Sequence, residues 1–218
     1  MSKQKIKSIG TVVPIGDGAT GKSFLTQHLI SDSISKESVI QLALKMKKSL
    51  NVELEYSTKR IELESEIVDT TIQYYVFPGQ KQKTSKKAPT FDEIVNYFNF
   101  LPALRNVAVL LMLYDSNRLE SLKSLEYWLK AALERGWVSE NTKIILVCTK
   151  IDLQKPNLKF VEQVKEGIYD MLWENNIKID RIQVSSVAVS SITLKGIEEL
   201  KNEIFDWVAF FGIQRVID

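Results

Sequence analysis

GDGATGKS, residues 16 to 23, is the stretch on which the reading of this chain turns. It matches GxxxxGK[ST] at every fixed position, through Gly16, Gly21, Lys22 and Ser23. Ahead of it, Ile6 to Ile15 (IKSIGTVVPI) has the apolar, β-branched content of a buried strand. After it, Phe24 to Ile30 continues as a helix. Glycines let a backbone wrap closely round phosphate groups. The amides of Gly16, Asp17, Gly18, Ala19, Thr20 and Gly21 can then face an anion, with those of Lys22, Ser23 and Phe24 at the helix start. Lys22 is the candidate bridge between β- and γ-phosphates, and the Ser23 hydroxyl the candidate ligand for Mg2+. The motif implies a nucleoside triphosphate and leaves the base and the reaction open.

Outward from this loop, strand and helix patterns alternate. Val39, Leu42, Met46 and Leu50 recur at helical spacing within Ser35 to Leu50. Lys59 to Glu66 alternates like a strand solvated on one face, and Thr70 to Phe77 is rich in β-formers, so a hairpin is expected. Gln80 to Thr90 is a polar, lysine-rich loop, and Phe91 to Leu104 a helix. Val107 to Tyr114 and Lys143 to Thr149 are continuous apolar runs, typical of strands covered on both faces. Helices are expected over Leu119–Arg135, Leu158–Glu174 and Leu194–Phe211, and a last strand over Ile179–Ser185. This order predicts an α/β fold, a mostly parallel sheet with helices on both faces, in a single domain over 1–218.

Composition excludes several classes. The 218 residues are 44% hydrophobic, too many for a disordered chain. A net charge of +2, from 29 basic and 27 acidic residues, gives no strong field for nucleic acid or an anionic membrane. The one cysteine, Cys148, lies in the apolar run IILVC and reads as a buried thiol, compatible with a reducing cytoplasm. No signal core, spanning stretch or lipidation motif is read, so no intrinsic membrane anchor is expected; recruitment to a membrane by partners stays open. One histidine, His28, reads as a plain helix residue, and Trp128, Trp137, Trp173 and Trp207 as packing residues.

Thr149-Lys150-Ile151-Asp152 directly follows the run IILVC. It resembles the NKxD motif of GTPases in its TKxD form. The resemblance implies that Asp152 accepts hydrogen bonds from the ring N–H and exocyclic amine of guanine. Lys150 would lay its stem along the base and brace the phosphate loop, and Thr149 replaces the usual asparagine. Together with YDSNRLESLKSLEYWLK from Tyr114 and VFPGQ at Val76 to Gln80, the chain is similar to the Ras-like small GTPases over nearly its whole length. VFPGQ is nearer to the PGQ form of prokaryotic polarity and motility small GTPases. The implied fold is the six-stranded P-loop NTPase fold, with insertions near 31–51 and 81–95.

The resemblance also implies roles. Gly79 would offer its amide to the γ-phosphate, and Gln80 would orient the attacking water, with Lys22 stabilising the charge that develops. Val76 stands where the family usually has an aspartate that braces magnesium. Thr58, with Ser57 as its rival, is the candidate switch threonine that completes magnesium. Arg60 reads as a solvated strand residue rather than an internal arginine finger. Within Ser185, Ser186, Val187 and Ala188, a backbone amide is expected to meet the guanine carbonyl, Ala188 first and Ser186 as the alternative. The implied ligands are GTP, GDP and Mg2+; the implied partners are effectors, an exchange factor and a GTPase-activating protein. The expected function is a slow GTP-hydrolysing switch. A GTP-binding scaffold that does not hydrolyse is the alternative, and a P-loop small-molecule kinase is weaker, for want of an arginine-rich lid. Lys81, Lys83, Lys86 and Lys87 crowd the loop after Gln80 and read as solubilising charge, or as a surface for an acidic partner.

Overall fold

A computed structural model of the chain describes residues 3–31, 39, 52–82, 89–98, 101–178 and 182–217. The apolar stretch ahead of the glycine-rich loop is β1, Gln4–Ile15, and the loop opens directly into α1, Lys22–Ile30. β2, Glu53–Glu62, and β3, Glu66–Val76, form an antiparallel hairpin. α2, Phe91–Phe98, starts at a capping box: the Glu93 amide donates to Thr90 Oγ1, and the Thr90 amide to Glu93 Oε2. A short 3-10 turn, Pro102–Arg105, leads into β4, Val107–Asp115. α3, Leu119–Lys123, and α4, Leu125–Glu134, precede β5, Lys143–Thr149. α5, Leu158–Glu174, is capped by the Asn157 side chain; β6, Val184–Ala188, and α6, Ile197–Ile217, close the chain.

The strands form one six-stranded sheet in the order β2-β3-β1-β4-β5-β6. β2 is antiparallel to β3, and all the other neighbours are parallel. β1 lies between β3 and β4, so connections leave it toward opposite sides of the sheet. The crevice at the carboxyl ends of such strands is where open α/β sheets bind ligands. GDGATGKS occupies that crevice by chain order alone.

The two-residue period of the central strands divides the core. Val13, Ile15, Leu110, Met112, Ile144 and Leu146 face one side, under α2, α3, α4 and α5. Val12, Val109, Leu111, Leu113, Ile145 and Val147 face the other, under α1 and α6. Each such side chain contributes about 1.5–3 kcal/mol by leaving water. Cys148 is buried, as expected. Trp128, Trp137 and Trp207 are buried, but Trp173 is 70% exposed on α5 and is not a packing residue.

Several boundaries differ from the sequence reading. β2 starts at Glu53 rather than Lys59, because the alternation is inverted ahead of Lys59, whereas Ile61 faces inward as expected. Leu54 and Tyr56 point to solvent, while Ser57 is buried and Lys59 reaches inward to Asn202 Oδ1 at 2.6 Å. An edge strand with a polar inner face carries no clear hydrophobic period. The helix expected to reach Leu104 ends at Phe98 ahead of Pro102, whose ring disfavours helix at the residue before it. Leu119–Arg135 is two helices meeting at Ser124. β6 begins at Val184, later than expected. The predicted Ser35–Leu50 helix lies outside the described residues apart from Val39, and so do most of the 31–51 insertion and Lys83, Lys86 and Lys87. Among the described residues no helix is long and apolar enough to cross a membrane.

Candidate nucleotide site

The loop from Gly16 to Ser23 is held in a conformation that ordinary residues resist. Gly16 has φ 142°, and a Cβ there would lie 2.3 Å from the Leu113 carbonyl oxygen of β4. Ala19 has φ 64°. Among the described residues it is one of four non-glycines in the left-handed region, and Lys150, φ 61°, is another. Strain of this kind collects at functional sites. Gly21 caps α1 without a side-chain hydrogen bond, and the first turn holds no acidic residue. The helix start is therefore open to an anion.

Lys22 folds back over this loop. Its Nζ donates to the carbonyls of Gly16 and Asp17, both at 2.8 Å. An ammonium has three N–H donors, so one is left for an incoming group. Burial pushes Lys22 down to about 7 from its ordinary 10.5; the charge of Asp17 opposes this and that of Arg118 adds to it. Between those two values the unfolded chain holds more protons than the native one, so stability must rise with pH. The thermal midpoint of the nucleotide-free protein is expected to climb from about pH 7 to about 8.5, below the range in which Cys148 acts in the opposite sense. The slope should shrink in Lys22→Met; equal slopes in both proteins would contradict the burial of a charged amine here.

The base-side motif joins this loop through side chains. Thr149 Oγ1 lies 2.9 Å from the Thr20 carbonyl oxygen and 3.0 Å from that of Tyr114, with its hydroxyl donating between them. Thr149 thus ties β5 to the glycine-rich loop. Lys150 does not brace that loop: its Nζ donates to Asp115 Oδ2 at 2.7 Å. Arg118 makes the connection instead, from Nε to Asp115 Oδ2 and from Nη2 to the Gly18 carbonyl oxygen at 3.0 Å. Burial alone would raise the pKa of Asp115. The hydrogen bond from Lys150, the Asn117 amide and the charges of Lys150 and Arg118 hold it below the usual carboxylate range.

Asp152 accepts from Ser190 Oγ at 2.5 Å, and Ser190 Oγ also accepts from the Thr193 amide at 3.0 Å. This corrects the sequence reading of the guanine-supporting loop. Ser186, Val187 and Ala188 are not in a loop; they lie within β6, opposite Leu146, Val147 and Cys148 of β5. The loop after β6 begins at Val189, and Ser190 is the residue that meets Asp152. His28 lies against this loop, buried and ring to ring with Phe24 at 4.8 Å. Burial lowers its pKa, with the Ser191 backbone acting the other way.

Thr58 and Ser57 are also corrected. Both lie inside β2, with Thr58 opposite Thr71. The end of the hairpin nearest the loop pairs Glu53 with Val76, five residues away. At about 3.3 Å per residue, Thr58 is about 17 Å from that end, too far to share a cation with Ser23. Arg60 pairs with Asp69 across the hairpin at 2.8 Å, in keeping with its reading as a strand residue.

The segment after β3 closes the site. A Cβ on Gly79 would come within 2.4 Å of the Gly16 carbonyl oxygen and 2.4 Å of Lys22 Nζ, so only glycine permits this approach. Gln80 is 6% exposed, and its Oε1 has no hydrogen-bond partner among the described residues. Such an acceptor costs about 1–3 kcal/mol when left unpaired, and a water molecule would satisfy it.

These donors suit a phosphate chain: an open helix start, a free N–H on Lys22 and a strained loop. For a divalent cation, Ser23 is half-buried at the helix start, while Val76 is apolar and buried. Among the described residues no cluster of three His, Cys, Asp or Glu could hold a metal. A cation on Ser23 would depend on oxygens from the nucleotide itself. Asp115, Arg118, Ser190, Trp128 and Lys81 were not singled out as site residues from the sequence. Asp115 had a signal: a lone carboxylate ending an apolar strand at its carboxyl end. Neither a protein-family model nor a curated protein matches this chain.

Proposed function

We propose that this chain has the P-loop NTPase fold of the Ras-like small GTPases and works as a guanine-nucleotide switch, hydrolysing GTP slowly to GDP. The observation that carries the reading is the convergence of Lys22, Thr149 and Gly79 on the glycine-rich loop, through Gly16 and Thr20, at one end of the sheet. Loop amides and Lys22 would bind the phosphates, and Asp152, held by Ser190, would read guanine. Magnesium, on Ser23 and the nucleotide's own oxygens, would supply further neutralising charge. In the reaction, a water oxygen attacks the γ-phosphorus and the bond to the β,γ-bridging oxygen breaks. GDP leaves with that electron pair, and the water's proton ends on the phosphate or in solvent. Gln80 Oε1, buried and unpaired, is the acceptor that would orient this water. Effectors, an exchange factor and an activating protein are the partners such a switch needs.

One observation favours the second reading, a GTP-binding scaffold. Val76 is buried and apolar, so it cannot brace a hydrated cation. Single-turnover hydrolysis with Gln80→Leu as control separates the two, since equal rates would leave only the scaffold. Base choice is tested by displacing a fluorescent guanine nucleotide. GTP is expected to compete at least about a hundredfold better than ATP, and Asp152→Ala to remove that preference. Equal displacement by GTP and ATP in the wild-type protein would overturn the reading of Asp152.

A further inference from the structure

Lys81, the residue after Gln80, turns its ammonium toward the glycine-rich loop. Its Nζ lies 2.9 Å from Asp17 Oδ1, inside the glycine-rich loop. It also lies over two rings of α4, 5.0 Å from the centroid of Tyr127 and 5.7 Å from that of Trp128. Trp128 Nε1 donates to the same Asp17 oxygen at 2.8 Å. Burial would raise the pKa of Asp17, but hydrogen bonds from Lys81, Trp128 and Ser124 together hold it low. Lys81 therefore occupies a box with a carboxylate on one side and aromatic faces on the others, where an ammonium is attracted by both. The box joins three parts of the molecule that are distant in sequence.

We infer that Lys81 is a positioning residue that holds Gln80 over the glycine-rich loop by docking into the Asp17, Tyr127 and Trp128 box. This rests on the proposed reading of Gly16–Ser23 and Gln80. On one side, the Gln80 carbonyl accepts from the Phe91 amide at 2.8 Å. On the other, Gly79 touches the Gly16 carbonyl and Lys22. Lys81 supplies the third restraint, an ion pair. It fixes the short run Gly79-Gln80-Lys81 against the loop that would bind phosphate. Without it, the amide of Gln80 is free to leave its buried position, and the donor at Gly79 moves with it. Arginine can reach the same carboxylate and stack on the same rings, whereas methionine keeps the length and loses the charge.

The test uses the full chain with Lys81→Met, Lys81→Arg and Trp128→Phe. Lys81→Met is expected to slow single-turnover GTP hydrolysis by at least about tenfold, the scale on which small misplacements act, while GTP affinity changes less than about threefold. Lys81→Arg should restore most of the rate, and Trp128→Phe should lie between. A second readout needs no hydrolysis: amide exchange over 76–82 in the nucleotide-free protein. It should quicken in Lys81→Met and return to the wild-type rate in Lys81→Arg. Unchanged exchange in Lys81→Met overturns the inference, whatever the hydrolysis assay gives. Quickened exchange in Lys81→Met, beside a wild-type protein that does not hydrolyse GTP, keeps the docking of Lys81 and sinks the GTPase reading instead. Quickened exchange with an undiminished rate in Lys81→Met overturns the positioning role.

Discussion

Lys22→Met is expected to weaken binding of a guanosine triphosphate by about 10²–10³-fold while leaving the fold intact. Truncating one partner of a buried, hydrogen-bonded charge pair costs about 2–5 kcal/mol, and each 1.4 kcal/mol is tenfold in affinity. Lys22 is 7% exposed and has two of its three donors on the Gly16 and Asp17 carbonyls. Its remaining donor is the one a phosphate would meet. Methionine fills similar space without a charge, so helix α1 and the core beneath it have no reason to move. Titration of a fluorescent nucleotide, with a thermal melt on the same sample, measures both quantities. Undiminished affinity in a folded Lys22→Met protein would remove the phosphate site from GDGATGKS.

Trp128→Ala is expected to be among the most damaging single truncations in the core. Trp128 is 1% exposed and meets Phe91 edge to face at 4.9 Å. Removing a buried tryptophan costs about 3–5 kcal/mol. For a chain of this size that is a fall in thermal midpoint of roughly 6–20 °C. The loss is not confined to packing, because Trp128 Nε1 also donates to Asp17. Trp128→Phe should recover most of the stability, since the ring remains, but not the hydrogen bond to the glycine-rich loop. A thermal melt of the two variants beside the wild type separates packing from the polar link. A midpoint in Trp128→Ala within a degree or two of wild type would show that this ring is not part of the core.

GDGATGKS was legible because its chemistry is local: spacing, glycines and flanking periodicity all lie within 25 residues. The central strands were legible because burial on both faces leaves a continuous apolar run. β2 was not, because an edge strand with Ser57 and Lys59 facing inward has no hydrophobic period to read. That one misplaced strand start also misplaced Thr58. Ser186, Val187 and Ala188 follow the strand expected from the sequence, yet they complete the sheet beside β5.

By itself, then, the sequence determined an α/β chain with a glycine-rich anion loop at its first strand–helix turn and TKID after a buried strand. Those features depend on neighbours along the chain, where period and backbone permissiveness act. Only the tertiary structure decided which side chains meet. It paired Lys150 with Asp115, linked Arg118 to Gly18, set Ser190 against Asp152 and docked Lys81 between Asp17 and Trp128. Each of these contacts spans more than 30 residues of chain, a separation that pattern in a single sequence does not encode. They exist because the parallel sheet gathers the carboxyl ends of its strands, with their loops, around one point.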